Sequence, residues 1–209
     1  MNKTEKPASV YWLDSKLYLN ITNRCSNSCY FCLRNFKRGV GGFNLKLAGD
    51  PTLEEVTREL EDVLAMRSWA ELVFCGFGEP TERLDALLAV TRWVRQHNGR
   101  PLRIRVNTNG HGFLLNPGRD VAKEMKGAGV DSVSVSLNAG DEETYNEVCK
   151  PTIEGSYGAV LEFIQKAKPF LEVEVTAVRM PEVDLGKAKE AADRFGVQFR
   201  IRECIQCFY

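Results

Sequence analysis

Three cysteines within eight residues are the most chemically specific feature of this sequence. Cys25, Cys29 and Cys32 follow the pattern C-x₃-C-x₂-C in the stretch NRCSNSCYFCLRN. Structural zinc sites and ordinary iron–sulfur clusters use four protein ligands, and the next cysteine, Cys75, falls inside an apolar segment that predicts a strand. Thiolates at this spacing can bind one cubane cluster and leave one iron open, which is typical of catalytic metal sites. Scattered core cysteines are the alternative interpretation, and it suits Cys75 and Cys149 better than the triplet.

The composition is that of a globular protein without overall charge. The 209 residues are 44% hydrophobic, and 28 basic side chains balance 28 acidic ones. Binding to nucleic acid is therefore not expected, although this balance leaves room for a local basic patch. The N-terminus lacks the apolar segment of a secretory signal, and no apolar run is long enough to cross a membrane. Seven cysteines in such a sequence predict a reducing, cytoplasmic location, where clustered cysteines bind metal or do redox chemistry.

The elements that must position these cysteines alternate along the whole chain. Predicted strands are 16–22, 71–77, 102–108, 131–137, 171–178 and 197–204, and predicted helices are 52–66, 82–98, 118–129, 141–148, 157–168 and 183–196. This order predicts one α/β domain over 1–209 with a parallel sheet, preceded by an extension over 1–15. A complete eight-unit barrel takes roughly 250 residues, so we expect an open six-stranded (β/α)6 three-quarter TIM barrel. A doubly wound open sheet is the alternative, and both folds place the active site at the carboxyl ends of the strands.

Two further segments carry distinctive residues. The segment 35–51 is glycine-rich and holds three basic residues, so it is either a mobile connection or a lid or partner contact. The tail over 203–209 contains Cys204 and Cys207 in a C-x₂-C pattern. This pair suits half a zinc or auxiliary-cluster site, a redox pair or a disulfide, or it belongs to a frayed tail. We predict that the tail covers the barrel mouth with its thiols toward substrate or a partner.

Four segments in the same order resemble the radical S-adenosylmethionine (radical SAM) superfamily. The cysteine triplet, with Phe31 before its third cysteine, is similar to the signature of that family, and GFGEP (76–80) is similar to its GGEP motif. VNTNG (106–110) resembles its TNG segment, and residues 134–151 resemble its fourth-strand segment, with Lys150 where arginine is frequent. The small size of the chain and the NLKL segment (44–47) that follows the cysteine triplet resemble the TatD-linked radical SAM proteins, whose substrate is not established.

The resemblance implies an enzymatic activity. It implies a [4Fe-4S] cluster with one open iron that binds S-adenosylmethionine and cleaves it reductively, giving a 5′-deoxyadenosyl radical that abstracts hydrogen from an unidentified substrate. That substrate is a small molecule, a peptide or a protein, and an external one-electron donor such as a flavodoxin or ferredoxin-like protein is implied. An activase for a glycyl-radical enzyme is the enzymatic alternative. A non-enzymatic electron-transfer or metal-binding protein is the alternative of another class.

The resemblance also implies roles for particular residues. Cys25, Cys29 and Cys32 would bind the cluster, and Gly76, Gly78 and Glu79 would accept the methionyl ammonium. The carboxylate and ribose of the cofactor would lie near Ser136, Asn138 and Arg179, while Asn107 and Asn109 would contact ribose or substrate and Phe31 the adenine. Each polar residue could instead cap a strand or turn. Catalytic candidates are His111, which follows TNG and could act as an acid or base, and the pair Cys204 and Cys207.

Overall fold

The computed structural model describes residues 6–204 and contains a mostly parallel sheet flanked by helices. The strands are β1 (Val10–Leu13), β2 (Lys16–Leu19), β3 (Gly39–Val40), β4 (Phe43–Asn44), β5 (Glu71–Phe74), β6 (Arg103–Thr108), β7 (Ser132–Ser136), β8 (Glu172–Arg179) and β9 (Gln198–Glu203). The α-helices are α1 (Leu53–Met66), α2 (Leu84–His97), α3 (Gly112–Leu115), α4 (Val121–Ala128), α5 (Glu142–Cys149), α6 (Ser156–Ala167) and α7 (Leu185–Asp193). Short 3-10 helices cover Leu33–Asn35 and Pro80–Arg83.

The main sheet has the order β1-β2-β5-β6-β7-β8-β9, and β3 and β4 form a separate hairpin. Strands β2 and β5 to β9 pair in parallel, whereas β1 pairs antiparallel to β2. Among the described residues the edge strands β1 and β9 do not pair with each other. The predicted open barrel with six parallel strands is therefore confirmed. The segment over 1–15 is not a simple extension, because Val10–Leu13 adds a seventh strand to the sheet.

Alternation along the strands separates an apolar outer face from a polar inner face. In β6 the buried Ile104 and Val106 face the helices, while Arg105 and Asn107 lie on the opposite side of the sheet. Successive side chains of a strand point to opposite faces. The outer face and the helices form one large apolar core, and the inner face is left for polar groups.

Helix α1 begins as the sequence predicts. Thr52 Oγ1 accepts from the Glu55 amide at 3.2 Å, and a Glu55 carboxylate oxygen accepts from the Thr52 amide at 2.8 Å. This capping box satisfies two amides that the first turn leaves without helical partners. No helix within residues 6–204 has the length and apolar content needed to span a membrane.

Candidate active site

A cavity of about 510 Å³ opens at the carboxyl ends of the parallel strands. Its wall combines the loop after β2, the loop after β5, the ends of β6 and β7, and the inner face of β8 and β9. All three cysteines of the triplet line this cavity, together with Phe31, Gly76, Gly78, Glu79, Asn107, Asn109, Ser136, Asn138 and Cys204. Its volume is within the range of roughly 300–1,000 Å³ that is usual for small-molecule sites.

The three thiols of the triplet are partly buried in the cavity wall. Burial raises the pKa of Cys25 to about 12, and burial also raises the pKa of Cys32. The pKa of Cys29 is raised by a hydrogen bond with Cys149 and by burial. Ligand thiols must lose their protons when they bind metal. The protein groups that offset burial here include the Arg34 guanidinium, whose charge lowers the pKa of all three thiols.

Arg34 also holds the loop that carries the triplet, which we call the cluster loop and define as residues 20–35. Its guanidinium donates to the Asn23 carbonyl at 3.4 Å and to the Asn27 carbonyl at 3.0 Å. Asn23 in turn bonds the backbone of Leu47 in both directions, at 2.8 and 3.2 Å. The middle of the loop is fixed by the Thr152 amide, which donates to the Ser26 carbonyl at 2.9 Å. The cluster loop is therefore tied to the following hairpin segment and to the connection between α5 and α6.

His111 does not lie at the rim of the cavity, so the predicted acid–base role is wrong for this arrangement. Its side chain is 0% exposed, and both ring nitrogens are hydrogen-bonded. Nδ1 lies 2.8 Å from Ser26 Oγ, and Nε2 lies 2.8 Å from the Tyr145 hydroxyl. Burial lowers the pKa of His111 to about 4, so the ring is neutral at physiological pH. The imidazole links the cluster loop to α5 and acts on the site through position alone.

The two glycines of GFGEP are required by the cluster loop itself. A Cβ on Gly76 would lie 2.0 Å from Asn20 Oδ1, and one on Gly78 would lie 2.4 Å from the Arg24 carbonyl and 2.5 Å from the Thr22 carbonyl. Glycine permits this close approach of two backbones. The resemblance links these glycines to the cofactor, and the structure adds that they let the loops after β2 and β5 pack directly.

Glu79 joins the loop after β5 to the end of β6. Oε1 accepts from the Thr81 amide, the Thr81 hydroxyl and the Thr108 hydroxyl at 2.8–3.0 Å, and Oε2 accepts from the Asn109 amide at 2.6 Å. Burial raises the pKa of Glu79, and these four donors lower it. Oε1 is saturated by protein donors, because a carboxylate oxygen has about two lone pairs. Any cofactor ammonium must therefore use Oε2, which has a single protein donor.

Of the remaining predicted cofactor contacts, the asparagines and Ser136 lie in the cavity wall and Arg179 does not. Asn109 donates to Ser26 Oγ at 3.0 Å and lies 3.9 Å from Cys25 Sγ, while the Oδ1 of Asn107 is buried without a hydrogen-bond partner. Ser136 and Asn138 lie in the wall and accept hydrogen bonds from an arginine of β9. Arg179 is the exception, because its side chain is exposed, pairs with Glu203 at 3.0 Å and does not line the cavity, so its position does not support the predicted contact with the cofactor.

The other cysteines occupy different environments. Cys149 is fully buried behind Cys29 and accepts from Asn138 at 3.5 Å. Cys75 is partly buried and, unlike the core position expected for it, lines the cavity. Cys204 is buried in the same wall. Cys207 and the predicted cover of the barrel mouth by residues 205–209 lie outside the described residues.

Three thiols in one wall are a donor set that a cluster with one open iron could use. Within residues 6–204 no three histidine, cysteine or acidic side chains converge where one metal ion could bind. A cubane distributes its thiolates over different irons, so its ligands need a shared wall and not one meeting point. The three triplet thiols have such a wall, in a loop that glycine contacts and Arg34 hold in place.

Five residues that shape the site are not among the predicted site residues: Arg34, Ser26, Tyr145, Thr108 and Arg202. Thr108 and Ser26 sit beside recognised motifs and could have been noticed there. Tyr145 and Arg202 come to the site only through the packing of α5 and β9, which no local pattern reveals.

Comparison with known proteins agrees with this arrangement. The model of the family described as the Radical SAM superfamily matches residues 19–195. A probable GTP 3′,8-cyclase of Saccharolobus solfataricus is 27% identical over 179 residues, which are 86% of this chain and 51% of the relative. A protein with the same name from Thermococcus kodakarensis is 31% identical over 157 residues, 75% of this chain and 45% of the relative. The chain spans about half the length of these curated relatives.

Solved structures share the fold at low sequence identity. TYW1 with a lysine–pyruvate adduct bound superposes with a TM-score of 0.66 at 15% identity, over 93% of this chain and 66% of that chain. SuiB of Streptococcus suis bound to S-adenosylmethionine gives 0.68 at 13% identity, over 94% of this chain and 42% of that chain. At these identities the likeness concerns the fold alone. The match of the family model over residues 19–195 shows that this chain belongs to the radical SAM superfamily.

Proposed function

We propose that this chain is the catalytic core of an enzyme that holds a [4Fe-4S] cluster on Cys25, Cys29 and Cys32 and binds S-adenosylmethionine beside it. Membership of the radical SAM superfamily implies both cofactors. The observation that carries the proposal is the shared cavity, in which the three thiols face the loop after β5 and the ends of β6 and β7. A substrate bound there would be within reach of both cofactors.

When bound, these cofactors supply reductive cleavage of the sulfonium and radical hydrogen abstraction from a substrate. The residues of this chain then have three tasks. Arg34 and the His111 network position the cluster loop. Glu79 and the backbone after β5 offer acceptors for the methionyl ammonium, and a charge-assisted bond of this kind contributes about 1.5–3 kcal/mol. Other residues of the wall, among them Asn107, Ser136 and Asn138, would contact the cofactor or the substrate.

The test is cofactor cleavage by the reconstituted protein. Purified protein is loaded with iron and sulfide without oxygen, and dithionite replaces the external one-electron donor. After addition of S-adenosylmethionine, we expect 5′-deoxyadenosine and methionine in equal amounts. The Cys29→Ala variant should form neither product. A redox-active cluster in wild-type protein that never releases 5′-deoxyadenosine would instead support an electron-transfer module.

A nucleotide substrate is a second candidate within the same class. The observation that favours it is the sequence identity of 27–31% to proteins named probable GTP 3′,8-cyclase. The chain spans only about half the length of those relatives, so cyclisation of GTP by this chain has to be tested directly. GTP added to the cleavage assay should give a cyclised nucleotide, detected by mass spectrometry. Unchanged GTP in the presence of 5′-deoxyadenosine formation would exclude this substrate and leave the radical chemistry in place.

A further inference from the structure

The inner face of the sheet carries several arginines, among them Arg105 and Arg200, which are paired with carboxylates. Arg105 Nη2 lies 3.2 Å from Glu71 Oε2. Arg200 binds Glu174 through two parallel contacts, Nε to Oε2 at 2.9 Å and Nη2 to Oε1 at 2.7 Å. The glutamate raises the pKa of Arg200 above its ordinary value. Paired arginines of this kind stabilise a polar sheet interior.

Arg202 follows Arg200 by two residues on the same face of β9, and it is bonded differently. Its Nη2 donates to Ser136 Oγ at 3.3 Å and to Asn138 Oδ1 at 3.1 Å, and both acceptors are neutral. Its Nε is buried without any hydrogen-bond partner. Within residues 6–204 no carboxylate lies within ion-pair distance of this guanidinium. Burial lowers the pKa of Arg202, the opposite of the shift at Arg200.

Arg202 is half-buried, and a partly desolvated cation without an anion is costly because no partner offsets the lost hydration. The neighbouring strand β8 supplies the glutamate that pairs with Arg200, and among the described residues Arg202 has no such partner. Arg202 lies in the cavity wall close to Cys75 and the ends of β7 and β8. Its unsatisfied Nε and charge are therefore available to a bound molecule.

We propose that Arg202 binds a carboxylate or phosphate group of the substrate. A guanidinium presents several donors in a fixed fork that matches planar carboxylates and phosphate oxygens. The proposal rests on the proposed function, because it places the substrate in the cavity shared with the cofactors. It adds a substrate class, a small anionic molecule, which neither the family nor the fold specifies.

The same anion chemistry has a second source, the methionyl carboxylate of S-adenosylmethionine. Ser136 and Asn138, which the resemblance assigns to this cofactor, are the two residues that Arg202 contacts. The experiment must therefore measure cofactor binding and anion binding separately. The matched control is Arg179→Gln, because Arg179 is an exposed arginine of the neighbouring strand that is already paired with a carboxylate, Glu203, and does not itself line the cavity.

The experiment uses cluster-loaded protein saturated with S-adenosylmethionine. Thermal unfolding is followed while inorganic phosphate or acetate replaces chloride at constant ionic strength. A ligand that binds only the folded state raises the unfolding midpoint, so we expect a saturable rise in wild type and in Arg179→Gln, and none in Arg202→Gln. Arg202→Lys, which keeps the charge without the fork, should show a reduced rise. The dissociation constant of S-adenosylmethionine should change less than about threefold in Arg202→Gln, since charge-assisted bonds are worth tenfold or more.

Three results would overturn the proposal. The first is no rise in wild type, or an equal rise in Arg202→Gln. The second is cofactor binding weakened about tenfold or more in Arg202→Gln, which would assign the guanidinium to the methionyl carboxylate. The third is an unfolding midpoint of Arg202→Gln far below that of Arg179→Gln without added anion, which would show a structural role. Formation of 5′-deoxyadenosine by wild type is measured in parallel, so failure of the anion site and failure of the radical chemistry are told apart.

Discussion

Acid destabilisation offers a direct test of the role assigned to His111. Burial lowers the folded-state pKa of His111 to about 4 from its ordinary value of 6.5, so the unfolded chain binds a proton more readily over this window. Stability therefore falls as pH falls from about 6.5 toward 4. Linkage converts these two pKa values into a loss of about 2 kcal/mol between pH 7 and pH 5 from this one side chain.

The measurement is urea unfolding of reduced, cluster-free protein at several pH values between about 5 and 7. Replacing His111 with glutamine removes the titration, so the variant should lose less stability than wild type over that range. At pH 7 the same variant should be less stable by about 1–3 kcal/mol, because Ser26 and Tyr145 each lose a buried partner. Contributions of all other titrating groups are common to both proteins and cancel in the difference.

The matched control is the other histidine, His97. It ends α2, stacks on Trp93 and bonds a carbonyl of its own helix at 2.9 Å. At pH 7 the His97→Gln variant should lose far less stability than His111→Gln, because the His97 side chain is exposed. If His111→Gln and wild type lose equal stability from pH 7 to pH 5, the histidine is not held neutral by burial and the positioning role is refuted.

Three further predictions concern the cavity wall. Cys29→Ala should lose the iron and the cluster absorbance on reconstitution, whereas Cys75→Ala should keep both; equal loss in the two variants would contradict a three-cysteine cluster site. Gly78→Ala should cost about 1–3 kcal/mol in urea unfolding, because its Cβ would meet backbone at 2.4 Å. Gly99→Ala, with no atom within 4 Å of its Cβ, should cost far less, and similar losses would rule out the packing argument. Glu79→Ala should weaken S-adenosylmethionine binding about tenfold to a hundredfold while the cluster is kept, and an unchanged dissociation constant by calorimetry would place this carboxylate outside the site.

Local patterns predicted much of the fold and the core of the site. Strand and helix periodicity placed the six parallel strands, and the capping box at Thr52 placed the start of α1 within a residue. The spacing of Cys25, Cys29 and Cys32 is short enough that one loop carries all three, so their nearness needs no tertiary information. Because parallel strands end at one edge of the sheet, the GFGEP and TNG segments, which follow two of these strands, must lie beside that loop.

Tertiary structure decided what the polar residues do once they are gathered there. His111 and Arg179 follow strands, as several other predicted site residues do, yet packing buries the ring of His111 and leaves the side chain of Arg179 exposed. Arg200 and Arg202 are identical in type and share a face of β9, and only the strand beside them gives one a glutamate and the other none. Burial and the identity of the partner depend on residues distant in sequence, so charge, protonation and available hydrogen bonds at this site follow from the packing of the barrel.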